Sequence, residues 1–487
     1  MDKSMTKYLN LSILSILLSA VFAISAAFTQ DFAEPKLPDT PAAMQFKKFL
    51  TAIESGDHEK YITENFTDEF LNTFPMSDHL DFFRQVSRMH GGFKVHTILE
   101  SSEDKLVVVA LSKKGRWRKI EINTEASPPY KVAGMGLDMA SPPDEVKTSA
   151  KRMTEKEILE FVENKLKKMM EADEFSGAVL IAKNGKPLWK KAYGMASKRF
   201  SVLNNVDTKF NIGSINKSFT QMAIAQLLEQ GKIEFDETIG KYLSDFPEEI
   251  AKKVTIRHLL TMKSGMGSYW NDEWQAKWST IKTVDELIEI IKKIPLDFEP
   301  GTSRRYSNSG YVVLGAIIEK VTGQSYYDYV QENIYKPAGM ENTDSYELDQ
   351  IVPNLAIGYM QNQSQNPYNS NKFQNNLLAH SVKGAPAGGG YSTLDDLLKY
   401  VEALQKNQLA GTKYTNLVLG LFQNTENPNK RPGGLGIAGG APVGINAMVK
   451  TDFKSGYTVI VLSNYDPPVA SDLGRSIFEL LMNKKTS

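Results

Sequence analysis

The sequence contains no cysteine among its 487 residues. A disulfide framework, a thiolate metal site, a cysteine nucleophile and a lipid-modified cysteine behind a leader are therefore excluded. An excess of charge of one sign is also lacking, because 57 Lys and Arg residues balance 57 Asp and Glu residues. Without a basic field to attract polyanions, we expect a small-molecule or peptide substrate and no nucleic-acid partner.

Signals for several catalytic chemistries are missing as well. There are only six histidines, and His258, in an Arg-His-Leu-Leu stretch, is interpreted as structural. No Gly-x-Ser-x-Gly elbow occurs between a strand and a helix. Asp395 and Asp396 begin a predicted helix, so they are interpreted as first-turn charges and not as glycosidase acids. No spacing suits a metal, so neither metal nor cofactor is predicted.

Residues 1–30 have the pattern of a signal peptide. A start with two lysines precedes the apolar stretch Leu9–Ile24, and the small residues Ser25–Ala27 follow, as cleavage requires. The alternative is an uncleaved anchor over Leu9–Phe28. A second hydrophobic run of membrane length is absent, so we expect an exported, periplasmic or secreted protein with no membrane span in the mature chain.

The length favours two folded units after the leader. The pattern of residues 40–140 indicates helices that end at Gly91-Gly92, followed by strand-like runs. This order predicts a small α+β accessory domain. This order resembles cone-shaped cystatin-like or nuclear-transport-factor-like domains. The polar stretch Ser141–Lys151 is the predicted linker. The predicted strands are Phe93–Leu99, Lys105–Leu111 and Trp117–Ile122.

The second unit, residues 155–485, has strands at both ends and helices between them. Asn184-Gly185 separates two apolar runs, which is a strong hairpin signal. The pattern predicts an α+β fold with one antiparallel sheet flanked by helices. The other elements that support it are a helix at Lys156–Met170, strands at Ala447–Lys450 and Tyr457–Asn464, and a last helix from about Val469 to Leu481.

A Ser-x-x-Lys pair lies at the start of an amphipathic helix that Gly231 ends. Ser214 and Lys217 fall on one face of the first turn. A serine hydroxyl needs a base, and a lysine amine serves when burial lowers its pKa. The pair alone is weak, since the same spacing recurs at Ser4–Lys7, Ser102–Lys105 and Ser279–Lys282.

A Tyr-x-Asn pair, Tyr306 and Asn308, lies on a predicted loop just before a helix. By itself it would be a turn whose Asn caps the helix. Downstream of Ser-x-x-Lys it has a second meaning, because a phenol relays protons and an amide holds a substrate carbonyl and steadies the lysine.

With both motifs in this order, the chain resembles the serine β-lactamase-like family, which contains class C β-lactamases, DD-peptidases, D-aminopeptidases and related carboxylesterases. The resemblance covers about residues 155–485 and implies the β-lactamase/DD-peptidase fold with its helical subdomain. The other similar stretches are Val254–Gly265, Tyr335–Met340, Pro386–Thr393 and Leu462–Pro468.

The resemblance also implies roles for individual residues. Ser214 forms an acyl-enzyme, and Lys217 and Tyr306 share general acid/base work, with the identity of the first base left open. Asn308 binds substrate. The oxyanion hole uses the backbone N–H of Ser214 and one from the strand of the third motif, where Gly440 matches.

The chain departs from the family at that third motif, which is normally Lys-Thr-Gly or His-x-Gly. Here the stretch is Ile437-Ala438-Gly439-Gly440. Isoleucine therefore stands where a cation or imidazole usually helps to bind a carboxylate. Gly439 and Gly440 match the family positions whose backbone binds substrate. Leaving a buried carboxylate unpaired costs several kcal/mol. Neutral esters, amides or blocked peptides are therefore favoured over β-lactams and stem peptides.

Three further possibilities stay open. Lys430 and Arg431 lie close enough in sequence to replace the missing cation from a loop. The chain is alternatively a catalytically degenerate family member that binds cell-wall or peptide ligands without turnover. In a third interpretation, residues 40–140 are the functional part, a ligand-binding cone with the hydrolase as a passenger.

Overall fold

The chain divides into two compact units at Lys151 and Arg152. In the part of the chain that the structure, a computed structural model, describes, no helix is long and apolar enough to cross a membrane. The leader predicted at residues 1–30 lies outside the described residues, as does most of the predicted linker. The described residues are 32–73, 76–140, 143, 152–361, 372–423 and 427–485.

The first unit is a helical layer followed by an antiparallel sheet whose strands are ordered β1-β2-β3-β4. Its helices are α1 (Pro41–Ser55), α2 (His58–Asn65), α3 (Asp68–Thr73) and α4 (Met76–His90). Its strands are β1 (Phe93–Ser101), β2 (Lys105–Ser112), β3 (Trp117–Thr124) and β4 (Val132–Met139).

Local sequence signals explain the ends of α1. The Thr40 hydroxyl accepts a hydrogen bond from the Ala43 backbone N–H at 3.3 Å, and Pro41 occupies the first turn. Gly56 ends the helix with a φ of 84°, a left-handed conformation that favours glycine. The buried face of α1 packs on the sheet and α4, with the Phe49 and Phe83 rings 5.7 Å apart.

Strand β4 was not predicted. Gly134 and Gly136 interrupt its apolar pattern, and glycine inside a strand weakens the sequence signal. The strand forms nevertheless, because Ile120 and Ile122 of β3 pair with Leu137 and Met135 across the ladder and bury both isoleucines in the core of this unit.

The second unit is built on a five-stranded antiparallel sheet ordered β13-β14-β15-β5-β6. The strands of the whole unit, including those in smaller two-stranded sheets, are β5 (Gly177–Lys183), β6 (Lys186–Tyr193), β7 (Met195–Ser197), β8 (Val202–Leu203), β9 (Phe210–Asn211), β10 (Tyr359–Gln361), β11 (Phe373–Asn375), β12 (Tyr391–Ser392), β13 (Gly434–Ala441), β14 (Ile445–Asp452) and β15 (Tyr457–Ser463). Its helices are α5 (Glu155–Glu171), α6 (Asn216–Glu229), α7 (Glu248–Ala251), α8 (Ile256–Leu260), α9 (Asp272–Lys277), α10 (Val284–Ile291), α11 (Asn308–Thr322), α12 (Tyr326–Val330), α13 (Lys336–Ala338), α14 (Leu394–Gln405), α15 (Thr412–Leu419) and α16 (Val469–Met482).

Helices cover both faces of this sheet. Alternation along β5 sends Val179 and Ile181 toward the layer that contains α5 and α16. The same alternation sends Leu180 and Ala182 toward the larger core that contains α6, α11 and α14. A strand buried on both sides reads as a continuous apolar run. The predicted α+β fold, an antiparallel sheet flanked by helices, is confirmed.

Helix α6 lies in the centre of the helical layer and is almost wholly buried, although it carries polar side chains. Buried tyrosines bind several of them: Ser218 shares a 2.8 Å hydrogen bond with the Tyr400 hydroxyl. Gln221 donates to the Tyr311 hydroxyl at 2.7 Å. Because a buried polar group without a partner is costly, these bonds fix the position of α6 and of the residues at its N-terminus.

Candidate active site

Ser214 lies in a single 3₁₀ turn, Gly213–Ile215, which leads into α6 at Asn216. The sequence predicted a helix N-terminus here, and the tighter turn is a refinement of it. Gly213 has a φ of 50°, and a Cβ at that position would come within 2.8 Å of the Gly440 backbone nitrogen. The serine is therefore held where no side chain on its neighbour would fit.

Lys217 is buried one turn further along, with 6% of its surface exposed. Its ammonium group donates to Asn308 Oδ1 at 2.7 Å and to the Ala387 carbonyl oxygen, and lies 3.3 Å from Ser214 Oγ. Burial lowers the pKa of Lys217 to about 7. A neutral amine is therefore accessible near neutral pH, within hydrogen-bonding distance of the serine.

Tyr306 completes the contacts of the serine. Its hydroxyl lies 2.6 Å from Ser214 Oγ, and the Lys217 ammonium lies 4.8 Å from the centre of its ring. Desolvation raises the pKa of Tyr306, and the hydrogen bond with Ser214 opposes part of that rise. The phenol keeps its proton at neutral pH, although 57% of the residue surface is exposed.

Asn308 is the first residue of α11, but it does not cap that helix. The cap is Ser307, whose hydroxyl accepts a hydrogen bond from the Gly310 backbone N–H at 3.0 Å. The alternative in which the Asn of this motif caps the helix is therefore not formed, because the neighbouring serine takes that place. The Asn308 amide is directed at Lys217 instead.

Gly439 and Gly440 lie on β13 directly beside the serine. A Cβ at Gly439 would collide with the Ile212 carbonyl oxygen and lie 2.7 Å from the Ser214 backbone nitrogen. Strand β13 therefore runs against the turn that carries the serine, as the resemblance implied. The Gly440 backbone nitrogen lies close to Gly213, and the Ser214 backbone nitrogen lies close to Gly439.

Ile437 lies two residues before Gly439, on the same face of β13, and pairs with Val449. It is half-buried and packs against the helical core. The proposed replacement of a cation by Arg431 is not formed: its guanidinium donates to the Gln405 carbonyl oxygen at 2.7 Å and to Asn407 Oδ1 at 2.9 Å. Arg431 is thus bound at the end of α14.

One contributor to the site was not identified from the sequence. The Ala387 carbonyl accepts from Lys217, and the following residue, Gly388, packs so closely on Gly213 that a Cβ would lie 3.3 Å from the Gly213 carbonyl oxygen. The signal was the glycine run 388–390, which marks a close approach of two backbones.

The remaining titratable candidates are structural. His258 Nδ1 accepts a hydrogen bond from the Thr255 backbone N–H at 3.3 Å, which closes the N-terminus of α8. Asp395 pairs with Lys190 at 2.7 Å, and Asp396 is buried in the first turn of α14. Among the described residues, no group of three His, Cys, Asp or Glu side chains could hold a metal ion.

Comparison with known proteins decides the family. A family model described as Beta-lactamase matches residues 162–482. The chain belongs to the β-lactamase family. This match confirms the resemblance found in the sequence. The matched region contains Ser214, Lys217, Tyr306 and the two glycines.

Relatives of this β-lactamase-family chain include hydrolases. A protein described as the penicillin-binding protein PbpX of Bacillus subtilis is 29% identical over 300 residues, which cover 61% of this chain and 72% of that protein. The teichoic acid D-alanine hydrolase of Staphylococcus aureus is 28% identical over 268 residues. That match covers 55% of this chain and 63% of the hydrolase, so the chain spans less than two-thirds of its length.

Solved structures agree on the fold. A penicillin-binding protein from Bacillus halodurans matches with a TM-score of 0.56 and 27% identity, covering 65% of this chain and 99% of that one. A D-amino acid amidase from Ochrobactrum anthropi matches with a TM-score of 0.54 and 22% identity, covering 67% and 97%. Together with the family, the relatives support serine hydrolase activity.

Proposed function

We propose that this protein is an exported serine hydrolase that acts through an acyl-enzyme on esters, amides or peptides, with Ser214 as the nucleophile. One observation carries the proposal: Ser214 Oγ lies 2.6 Å from the Tyr306 hydroxyl and 3.3 Å from the Lys217 ammonium. A hydroxyl between a lysine of lowered pKa and a protonated phenol has a base on one side and an acid on the other.

The two pKa shifts support one division of the acid and base roles. Lys217, with a pKa of about 7, is neutral in a large fraction of molecules at neutral pH and takes the Ser214 proton as Oγ bonds to the substrate carbonyl carbon. Tyr306, whose pKa is raised, is protonated and donates its proton to the leaving oxygen or nitrogen when the bond to the carbonyl carbon breaks. The proton on Lys217 then returns to the phenolate, which restores both groups.

The negative charge that develops on the carbonyl oxygen needs donors that are already in place. The backbone N–H groups of Ser214 and Gly440 are the candidate donors, because β13 packs against the turn that carries the serine. A water molecule then attacks the acyl-enzyme, and the same groups act in reverse to release Ser214 and the acid.

Ile437 supports neutral substrates. An isoleucine at this position supplies no charge or hydrogen bond to a substrate carboxylate, whereas an ester, an amide or a blocked peptide needs none. Two relatives are named for substrates with a D-amino acyl group, a teichoic acid D-alanine hydrolase and a D-amino acid amidase. We therefore include D-alanyl esters and amides among the candidate substrates. The placement outside the cytoplasm rests on the leader predicted at residues 1–30.

The experiment is rapid mixing of the protein with a p-nitrophenyl ester, together with labelling by a fluorophosphonate. We expect a burst of nitrophenol equal to the enzyme concentration and one label per chain, both absent in Ser214→Ala. Ser218→Ala is not a suitable control because Ser218 is a buried partner of Tyr400. Ser201→Ala, at an exposed position away from these residues, serves instead. A wild-type protein that takes no label contradicts the proposal.

A second candidate function is binding without turnover, and Ile437 is the observation that favours it, because it removes a family side chain from the site. This alternative predicts saturable ligand binding with no burst and no label in the wild type. A burst that depends on Ser214 excludes it.

A further inference from the structure

Three of the five tryptophans in the chain fall within nine residues of each other. They are Trp270, Trp274 and Trp278, spaced by four on and around α9. No residue of α9 itself is fully buried, and 54% of the Trp270 surface is exposed. Burial of an indole ring is strongly stabilising, so tryptophans that stay clustered on a surface helix indicate a binding surface more often than a part of the core.

The rings form one connected surface. The Trp270 and Trp274 rings are 6.1 Å apart and tilted by 38°. The Tyr269 ring meets Trp270 edge-on at 6.1 Å and is itself buried. Trp270 is thus supported from two sides and leaves part of its indole open to solvent.

One end of this surface is hydrogen-bonded to the start of α11, just after the catalytic tyrosine. The Ser309 hydroxyl donates to the Gly267 carbonyl oxygen at 2.5 Å, and Ser309 follows Asn308 directly. Burial raises the pKa of the Tyr269 phenol to about 12, and the Tyr306 phenol adds a smaller electrostatic contribution in the same direction. The hydrogen bond from Ser309 therefore holds the segment before Trp270 against the start of α11.

The other end is bound to the chain that precedes the Ala387 loop. The Trp278 carbonyl oxygen accepts a hydrogen bond from the Val382 backbone N–H at 3.2 Å. Val382 begins the segment that leads to Ala387, whose carbonyl holds Lys217. The tryptophan segment is therefore bound at one end to the start of α11 and at the other to the stretch that precedes Ala387.

Packing alone explains only part of the cluster. Tyr269 and Trp274 contact the large core of the second unit, so their rings would be retained for stability. Trp270 is a poor core residue, because more than half of its surface remains in water. An aliphatic or polar side chain would cover Tyr269 at that position as well.

We infer that Trp270 and Trp274 form an aromatic subsite of the hydrolase, which stacks against an aromatic ring on the acyl group or the leaving group of the substrate. This inference rests on the proposed function and names the class of group that the site prefers. Trp270 acts on specificity and takes no part in bond making.

The kinetic test compares ethyl acetate, ethyl phenylacetate, ethyl cyclohexylacetate and benzyl acetate in a pH-stat. In Trp270→Ala we expect KM to rise about three- to tenfold for ethyl phenylacetate, for benzyl acetate or for both. This is the range expected from the loss of one aromatic contact. We expect kcat to stay within about twofold and ethyl acetate and the cyclohexyl ester to be unaffected. Trp270→Phe should recover most of the loss.

Phe200→Ala is the matched control, since Phe200 is also an exposed aromatic residue, with 69% of its surface in solvent, and has no link to the site. An unchanged KM for both aromatic esters in Trp270→Ala overturns the inference. An equal rise for the cyclohexyl ester overturns it too, because the surface would then be merely apolar.

A binding measurement separates this inference from the proposed function. Phenylacetamide is titrated into Ser214→Ala while tryptophan fluorescence is followed, so no turnover is needed. Saturable quenching that disappears in Ser214→Ala/Trp270→Ala supports the subsite even if no ester is hydrolysed. Active wild-type enzyme with no quenching, or with quenching that survives loss of Trp270, overturns the subsite and leaves the hydrolase proposal intact.

Discussion

The Tyr306 hydroxyl lies 2.6 Å from Ser214 Oγ, although 92 residues separate them in the chain. The same oxygen lies 3.3 Å from the Lys217 ammonium. Burial lowers the pKa of the lysine, and desolvation raises the pKa of the tyrosine. Because the two shifts are opposite, the nucleophile lies between a group that accepts a proton at neutral pH and one that keeps it.

The first prediction concerns Tyr306→Phe. If the phenol protonates the leaving group, a poor leaving group needs it and nitrophenolate does not. We expect kcat/KM to fall about 10²- to 10⁴-fold for an anilide but only about tenfold for a p-nitrophenyl ester, both followed by absorbance. Equal losses on the two substrates would mean that Tyr306 acts before the leaving group departs.

The second prediction is the pH dependence of acylation. Below a pH of about 7, Lys217 is mainly protonated and does not accept the serine proton. The value of kcat/KM for a neutral ester should therefore rise about tenfold per pH unit in the acid range and level off above pH 7. The rising limb reports the neutral form of the lysine in the free enzyme.

Lys217→Arg tests the same group, because a guanidinium does not lose its proton in a protein. Its turnover should be lost at every pH, while Lys430→Arg, an exposed exchange of the same type, should keep the wild-type profile. A profile with no step between pH 5 and about 9 would contradict the role of Lys217 as base.

The third prediction concerns Ile437→His. Wild type should hydrolyse short-chain esters faster than a D-alanyl amide, because an amine is the poorer leaving group. It should also hydrolyse them faster than a chromogenic cephalosporin, since Ile437 gives the cephalosporin carboxylate no partner. Histidine restores a donor on the same face of β13 as Gly439 and should raise turnover of the amide and the cephalosporin. Equal rates on all three substrates in both proteins would mean that position 437 does not set specificity.

Much of the second unit could be predicted because local signals and tertiary structure agree there. Asn184-Gly185 predicted a hairpin, and β5 and β6 pair around it with φ values of 51° at Asn184 and 74° at Gly185. Ser214 and Lys217 follow helical spacing within one turn, so their proximity is local. Tyr306 was connected with them through its motif and its order in the chain.

The features that were missed depend on long-range contacts, which a local pattern such as the glycine run 388–390 signals only indirectly. The Ala387 carbonyl reaches Lys217 through a backbone approach of two loops. Strand β4 gains its stability from pairing with β3 and not from its own glycine-interrupted pattern. Trp270 reads like any core aromatic residue until its exposure and its link to Tyr306 through Tyr269 are known.

The fourth prediction addresses the first unit. Phe49 is fully buried there among aromatic rings, so Phe49→Ala should lower the free energy of unfolding of this unit by about 3–5 kcal/mol. Urea unfolding checks this, with Met44→Ala, on the same helix but 46% exposed, as the control. Hydrolysis of a simple ester should persist in both variants, because Ser214, Lys217 and Tyr306 all belong to the second unit.

That outcome also bears on the proposal that residues 40–140 form a separate accessory domain. A loss of ester hydrolysis in Phe49→Ala, under conditions where Met44→Ala is fully active, would show that the two units are not independent. It would favour a role for the first unit in the activity itself.

The last prediction compares two glycines on one strand. A Cβ at Gly439 would collide with the Ile212 carbonyl oxygen and lie 2.7 Å from the Ser214 nitrogen, whereas nothing lies within 4 Å of a Cβ at Gly436. Gly439→Ala must therefore push β13 away from the serine and disturb the proposed oxyanion hole. We expect kcat/KM for esters to fall at least about 10²-fold, while Gly436→Ala keeps wild-type activity.

Thermal melting separates this local effect from misfolding, because the melting temperature of Gly439→Ala should stay within a few degrees of that of Gly436→Ala. Fluorophosphonate labelling gives a second readout, since acylation of Ser214 should slow in step with turnover if the donors to the carbonyl oxygen are displaced. Near-wild-type labelling and turnover in a folded Gly439→Ala protein would mean that β13 does not supply the oxyanion donor, and the second N–H would then have to come from the Ala387–Gly390 loop.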